Sequence, residues 1–288
     1  MAFNFSVFRV RALSAIVFAV IMIGGLLWNN WSFFSLFAII AIGCLYEFQK
    51  LLALIYPSYK NISAVHKWGL LVLSFVLMMC LAPSNLMIKE WTVKFIGMKL
   101  LPIVIGGIVA GELINYKKGF VLQNWAISFF GLVYIPMSLS LFYQLKGIMS
   151  NTLFGDLGFA IPSILIASIW VNDTMAYIVG SIIGRTPLSS ISPNKTWEGT
   201  VAGVILSVLI VTKVLGVWIP VQEKLIFLIS LVASIAGNFG DLFESKLKRM
   251  AGVKDSGRMM PGHGGFLDRF DSILLATPFV WLLIQILF

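Results

Sequence analysis

Residues 262–288 read GHGGFLDRFDSILLATPFVWLLIQILF. After the opening turn comes an apolar run of the length that crosses a bilayer, about 20 residues. Yet Asp268, Arg269 and Asp271 stand in its first turns. An ionised side chain at the centre of a bilayer costs roughly 2.5–3.5 kcal/mol on insertion scales, so such groups face a bundle interior or a wet cavity. The whole chain of 288 residues is 59% hydrophobic and 11% charged, where a soluble domain carries about 25% charged residues. Its apolar runs are too long for barrel strands and lack period-two alternation, so helices are the spanning element. The expected fold is all-α, a polytopic membrane helix bundle.

Working back from that last helix, nine apolar segments are counted, at about 12–28, 32–54, 68–82, 95–115, 120–145, 158–184, 197–219, 222–247 and 266–288. The third is short enough to tilt or be re-entrant. Pro136 and Pro162 are candidate kinks. No repeat or linker divides the chain. The segments group as residues 1–155, five N-terminal helices, and residues 156–288, four helices with the motif-bearing loops. Arg9 and Arg11 precede the first apolar run as in a signal peptide, but Gly24–Trp28 offers no small-residue cleavage site, so that run is expected to stay as the first membrane helix.

The net charge is +9. In a soluble domain that would point to nucleic acid. In a bundle, basic loops orient the protein and meet anionic lipid, and no nucleic-acid partner is expected. With the N-terminus cytoplasmic, that side holds 14 Lys and Arg residues against 6 opposite, and still 9 against 6 without the loop before the last helix. Cys44 and Cys80 lie in apolar segments and read as packing residues. His66 falls in the loop before the third helix and reads as interfacial.

In this topology eight acids lie in the cytoplasmic halves of their helices: Glu47, Glu112, Asp173, Glu198, Asp241, Glu244, Asp268 and Asp271. They predict a polar chamber open to the cytoplasm, built chiefly by the last four helices. Asp241, Glu244, Ser245 and Lys248 follow i, i+3, i+4, i+7 spacing and share one helix face. Asp268, Asp271 and Ser272 repeat that spacing in the last helix. Carboxylates without a His or Cys cluster suit Mg²⁺, which takes carboxylates plus substrate phosphate and water. The alternative is an interhelical salt-bridge network around Arg269.

The joining loop, KRMAGVKDSGRMMPGHGGF, combines Lys248, Arg249, Lys254 and Arg258 with five glycines. Cations pair with phosphate, and glycine lets backbone N–H groups approach an anion. Gly262–Gly265 leads into a helix N-terminus, a natural anion site. His263 is either a phosphate donor or a turn residue. Upstream, Asp173 lies deep in its helix, Gly180 and Gly184 have the spacing of close helix packing, and SPNKTWEG (192–199) opens the next helix. There Lys195 and Glu198 form a capping turn with a surface ion pair or, on the functional reading, place Lys195 on a phosphate.

These stretches together resemble the phosphatidate cytidylyltransferase (CDP-diacylglycerol synthase) family. Its signature appears as Ser245-Lys246-Leu247-Lys248-Arg249, then Lys254-Asp255-Ser256-Gly257, then residues 260–271, MPGHGGFLDRFD. Met260 stands where Leu, Ile or Phe is usual. DTMAYIVGSIIGR (173–185) and SPNKTWEG are also similar to family motifs. The resemblance covers residues 170–272 well, and the first 150 only as hydrophobic helices. It implies CMP transfer from CTP to phosphatidic acid, giving CDP-diacylglycerol and pyrophosphate for phospholipid biosynthesis. It also implies Mg²⁺ with a neighbouring K⁺, a homodimer, and a multi-pass protein of the inner (plasma) membrane with its site facing the cytoplasm.

On this reading Asp241 and Asp268 bind metal, with Asp271 and Glu244 as further ligands or supports. Lys248, Arg249, Lys254, His263 and Arg269 hold the triphosphate and the lipid phosphate. Asp173, Lys195, Glu198, Ser245, Asp255, Gly264 and Gly265 complete the substrate site. Two other activities compete. One is a related CTP-dependent lipid kinase or ether-lipid cytidylyltransferase. The other is a cation-coupled transporter, which predicts midplane acids and inverted repeats that the sequence does not display.

Overall fold

Apolar runs become helices, and the described residues are all-α apart from one short hairpin. A computed structural model describes residues 5–114, 122–149, 157–259 and 264–287. The helices are α1 (Phe5–Leu27), α2 (Asn30–Ile55), α3 (Pro57–Lys60), α4 (Ala64–Cys80), α5 (Val93–Ile114), α6 (Leu122–Leu132), α7 (Ser138–Ile148), α8 (Ala160–Ile183), α9 (Trp197–Trp218), α10 (Glu223–Met250) and α11 (Leu267–Leu287). Two-residue strands β1 (Met87–Ile88) and β2 (Trp91–Thr92) pair antiparallel between α4 and α5.

Among the described residues, seven helices are long and apolar enough to cross a membrane: α2, α5, the continuous stretch Leu122–Ile148, α8, α9, α10 and α11. Leu13–Leu27 and Ala64–Cys80 are shorter apolar helices. The nine segments of the sequence therefore correspond to seven long and two shorter stretches. Pro136 lies in a π-helical turn, Val133–Met137, that joins α6 to α7, as its expected role as a helix irregularity requires. Pro162 does not kink α8. It lies in the first turn, where a missing N–H costs no intrahelical bond.

The chain divides into two compact units, residues 1–140 with 250–270, and residues 141–249 with 271–288. The division thus assigns residues 250–270, most of the glycine-rich loop, to the same unit as the N-terminal helices rather than to the last four. In the first unit, small residues allow close helix approach. A side chain at Gly97 would press on the backbone of Met79 and Cys80, and one at Gly43 on the ring of Phe266. Phe33, Phe37, Phe48 and Phe270 are buried. Cys44 and Cys80 are buried and unbridged, the packing role expected of them.

His66 departs from its sequence reading. It lies within α4, buried, with Nε2 at 2.8 Å from Ser128 Oγ and its ring 4.4 Å from that of Trp125. Tyr59 OH meets the same Ser128 Oγ at 2.9 Å. Helix α4 begins four residues earlier than hydropathy indicated because Ser63 caps it, accepting from His66 N at 2.9 Å. Ser63 also donates to Glu112.

In the second unit, α8, α9 and α10 are joined by a column of buried polar side chains. Ser207 Oγ donates to Ser168 O at 2.7 Å, Ser168 Oγ lies 3.0 Å from Ser230 Oγ, and Ser234 Oγ lies 3.1 Å from Ser207 Oγ. Above them Asn172 and Asn238 exchange amide hydrogen bonds at 3.2 and 3.3 Å. Such bonds add to packing where burial of apolar area cannot drive helix association. Gly180 and Gly184, whose spacing predicted close packing, approach Thr196 at the start of α9, and Gly199, which the sequence reading did not single out, lies against the Ala176 carbonyl and Gly180 Cα.

Gly240 does the same between α10 and α11. A methyl there would stand 2.5 Å from the Asp271 carbonyl oxygen and 3.0 Å from Ser272 Cα. Overpacking of this kind costs typically about 1–3 kcal/mol. Gly240→Ala is therefore expected to lower the thermal unfolding midpoint in detergent and to reduce activity, because Asp241 and Asp271 are placed by this contact. An unchanged midpoint would show that the helices are looser than the structure has them.

Candidate active site

Within the second unit, a cavity of about 400 Å³ is lined by Asp173, Ser181, Asn194, Lys195, Asn238 and Asp241, among others. Its key contact joins Lys195 Nζ to Asp241 Oδ2 at 2.5 Å, each side chain about 30% exposed. Lys195 is held there by its loop. The chain leaving α8 folds back on itself through a bridge between Pro187 and Thr196, with Leu188 N donating to Lys195 O at 2.7 Å and Trp197 N to Thr186 O at 2.9 Å. Thr196 caps α9, accepting from Gly199 N at 3.2 Å. Glu198 accepts from the backbone N–H groups of Arg185 and Thr186 at 3.2 Å. It fixes the strap that carries Lys195, while the ion pair of Lys195 runs to α10.

Asp173 accepts from Asn172 Nδ2 at 3.3 Å, so the polar column ends at the cavity floor. Asp271 is buried in α11 and interacts electrostatically with Asp241, Asp173 and Lys248. Glu244, fully buried one turn beyond Asp241, pairs with Lys248, which is 14% exposed. Five of the eight predicted acids, Asp173, Glu198, Asp241, Glu244 and Asp271, thus occur in this unit with Lys195 and Lys248. Ser245 is half-buried beside them in sequence, and Arg249 is exposed.

The first unit holds the rest of the signature. Asp268 Oδ2 accepts from Ser256 N at 2.9 Å and Gly265 N at 2.7 Å, and lies 3.0 Å from Ser256 Oγ. Gly264 has φ +82, a left-handed conformation suited to glycine, and this lets the following N–H point back to Asp268. The second carboxylate in this cluster is Glu47 of α2, only 5% exposed. Its Oε2 lies 2.7 Å from Ser256 Oγ and accepts from Leu267 N at 2.9 Å. Gly257 and Gly265 approach it so closely that neither has room for a side chain. Lys254, Asp255, Arg258 and Arg269 are exposed around this turn. His263 lies outside the described residues.

The eight acids expected in one chamber belong to two units. Asp173 and Asp241 line the cavity, Glu47 and Asp268 bind the glycine-rich turn, Glu198 fixes a strap, and Glu112 meets Ser63. Sequence reasoning missed the role of Glu47. The available signal was an acid in the last turns of an apolar helix, and it was weakened by Lys50 three positions on, which offered an ordinary surface ion pair instead.

A family model described as the Cytidylyltransferase family matches residues 9–287. The chain belongs to that family. It is similar to the phosphatidate cytidylyltransferase of Staphylococcus epidermidis, 32% identical over 284 residues that cover 96% of this chain and 98% of that protein. Proteins of the same name from Synechocystis sp. and Bacillus subtilis are 46% and 45% identical over 133 and 120 residues, covering 45% and 41% of this chain and 45% of each relative. Membership extends across the N-terminal helices as well as the signature, consistent with a turn whose central acceptor, Glu47, comes from α2.

Proposed function

We propose that this cytidylyltransferase transfers CMP from CTP to phosphatidic acid, releasing pyrophosphate and CDP-diacylglycerol. The observation that carries the proposal is the lysine–carboxylate pair at 2.5 Å in a polar cavity of the second unit, in a chain whose full-length relative is a phosphatidate cytidylyltransferase. A lipid phosphate oxygen attacks the α-phosphorus of CTP. The new O–P bond forms as the bond to the β-phosphate oxygen breaks, and the electron pair leaves with pyrophosphate. The nucleophile is already an anion, so the protein's task is alignment and charge neutralisation. Lys195 exchanges Asp241 for an incoming phosphate oxygen, and Lys248, oriented by Glu244, adds a second cation. The exposed Arg249, Lys254 and Arg269 attract the triphosphate.

The resemblance implies Mg²⁺, and the donor set fits it. Asp241 and Asp271 offer hard oxygen ligands on adjoining helices. Among the described residues no group of three or more His, Cys, Asp or Glu side chains is assembled. Mg²⁺ is commonly held by one or two carboxylates, with substrate phosphates and water completing its octahedron. Asp241 and Asp271 would hold the ion, which would supply charge neutralisation to the phosphates and the leaving pyrophosphate. Asp268 and Glu244, expected as ligands, are engaged by Ser256, Gly265 and Lys248, and we assign them to positioning. The distribution of Lys and Arg supports a cytoplasmic N-terminus and a site facing the cytoplasm, and we place the protein in the inner membrane.

The test is product analysis with purified protein in vesicles, Mg²⁺ and CTP labelled at either the α or the γ phosphate. Alpha label is expected in the lipid only when phosphatidic acid is present, with one pyrophosphate released per turnover. Gamma label in the lipid, with CDP as product, would identify a kinase and overturn the proposal.

A further inference from the structure

Beside the polar cavity, and in the same unit, lies a second concavity of about 500 Å³ whose lining is almost wholly apolar. Trp197, Val204 and Ile205 of α9 line it, with Ile235, Phe239 and Leu242 of α10. Both volumes fall within the roughly 300–1,000 Å³ typical of ligand pockets. They share wall residues, since Thr200 and Asn238 line the polar cavity on one side and the apolar one on the other. Lys195 and Asp241 stand in the first; Trp197 and Leu242, their neighbours in sequence, stand in the second.

Apolar side chains exposed on membrane helices ordinarily meet bulk lipid. This patch differs because it is concave and shares Thr200 and Asn238 with the lining of a charged site. A ligand that occupies both must carry an anionic head and a hydrocarbon tail on one molecule. We infer that the α9–α10 groove binds one acyl chain of the phospholipid substrate while its phosphate occupies the Lys195 cavity, making Val204, Ile235 and Phe239 determinants of chain selection. The inference rests on the proposed reaction and adds to it the path taken by the tail.

The geometry also says how selection works. In a bilayer the tail starts in hydrocarbon, so moving it into the groove gains little from leaving water. Discrimination comes from fit, through packing made or clashes imposed. Filling the groove therefore blocks long chains and leaves short ones, which do not reach along it, largely unaffected.

The experiment compares Val204→Trp and Ile235→Trp with wild type on dioleoyl and dihexanoyl phosphatidic acid. Leu282→Trp, at an exposed position of α11, serves as a control for added bulk. The groove variants are expected to lose roughly tenfold in kcat/KM for the dioleoyl substrate. They should stay within about twofold of wild type on the dihexanoyl substrate and in the KM for CTP. A phosphatidic acid bearing a mid-chain diazirine should label α9 and α10 peptides in wild type and lose that labelling in the variants. Equal losses on both lipids, or label spread evenly over lipid-exposed helices, would overturn the inference. So would cross-linking of the groove to a second copy of the chain. Wild type that makes no CDP-diacylglycerol would instead overturn the reaction proposed above, a result readily distinguished because it precedes any variant.

Discussion

Asp241→Asn is expected to leave a folded protein whose CMP transfer falls by about 10²–10³-fold, the loss typical of removing one group that stabilises charge in the transition state. Asn keeps the shape of Asp and removes its charge. Lys195, 2.5 Å away, then lacks its counter-charge. The pair is partly exposed, and such ion pairs contribute only about 0.2–1 kcal/mol to stability, so the unfolding midpoint should barely move. That separation of activity from stability distinguishes a catalytic pair from a structural one. Lys195→Ala should raise the KM for phosphatidic acid and lower kcat as well, since the lysine is assigned to a phosphate throughout the reaction. The double variant should be little worse than Asp241→Asn alone, because groups that act as one unit are strongly non-additive. Asp241→Asn should also shift the Mg²⁺ concentration for half-maximal activity upward. Retention of more than about a tenth of wild-type activity by Asp241→Asn would remove Asp241 from the centre of the mechanism.

The elements that were legible in the sequence share a physical reason. Spanning helices must satisfy every backbone group internally and present apolar side chains to lipid, so hydropathy alone locates α2, α5, α8, α9, α10 and α11. Acids within such helices are costly enough to mark a polar site, and Asp173, Asp241 and Asp271 do so. Residues that read as ordinary in sequence were harder to place. Ser168, Ser207, Ser230 and Ser234 look like small residues scattered along apolar helices, and only packing shows them as one polar column. Pro136 and Pro162 carry the same local signal, but one lies in mid-helix and the other in a first turn. His66 changed from interfacial to buried because Ser63 starts α4 before the hydropathy does. Lys195 was expected on phosphate; its partner Asp241, 46 positions away in the numbering, could not be chosen from among eight acids by spacing.

Glu47 is the extreme case, and its removal carries the second large effect. Its carboxylate meets Ser256 Oγ across 209 positions of sequence and Leu267 N across 220. Glu47→Ala takes the shared acceptor from a buried hydroxyl and from the first N–H of α11. Hydrogen bonds to charged groups contribute about 1.5–3 kcal/mol each, and the buried donors left behind add a desolvation cost. The cost is localised, because Ser256 also contacts Asp268 and ties the two halves of the turn together. Glu47→Ala should therefore speed amide hydrogen exchange between residues 253 and 268 while the rest of α2 stays protected. Activity should fall by about 100-fold, the consequence expected when a binding group loses its positioning by an ångström or so. Glu47→Gln, which keeps one acceptor oxygen of the same reach, should recover part of both losses. Asp268→Ala should accelerate exchange over the same segment, since it accepts from Ser256 N and Gly265 N at the other side of the turn. A Glu47→Ala protein that exchanged like wild type across residues 256–267 would mean that the turn holds its shape unaided. Short of that result, a carboxylate in the second helix determines the form of a motif near the C-terminus, which gives the N-terminal helices a part in the chemistry that their hydropathy alone does not disclose.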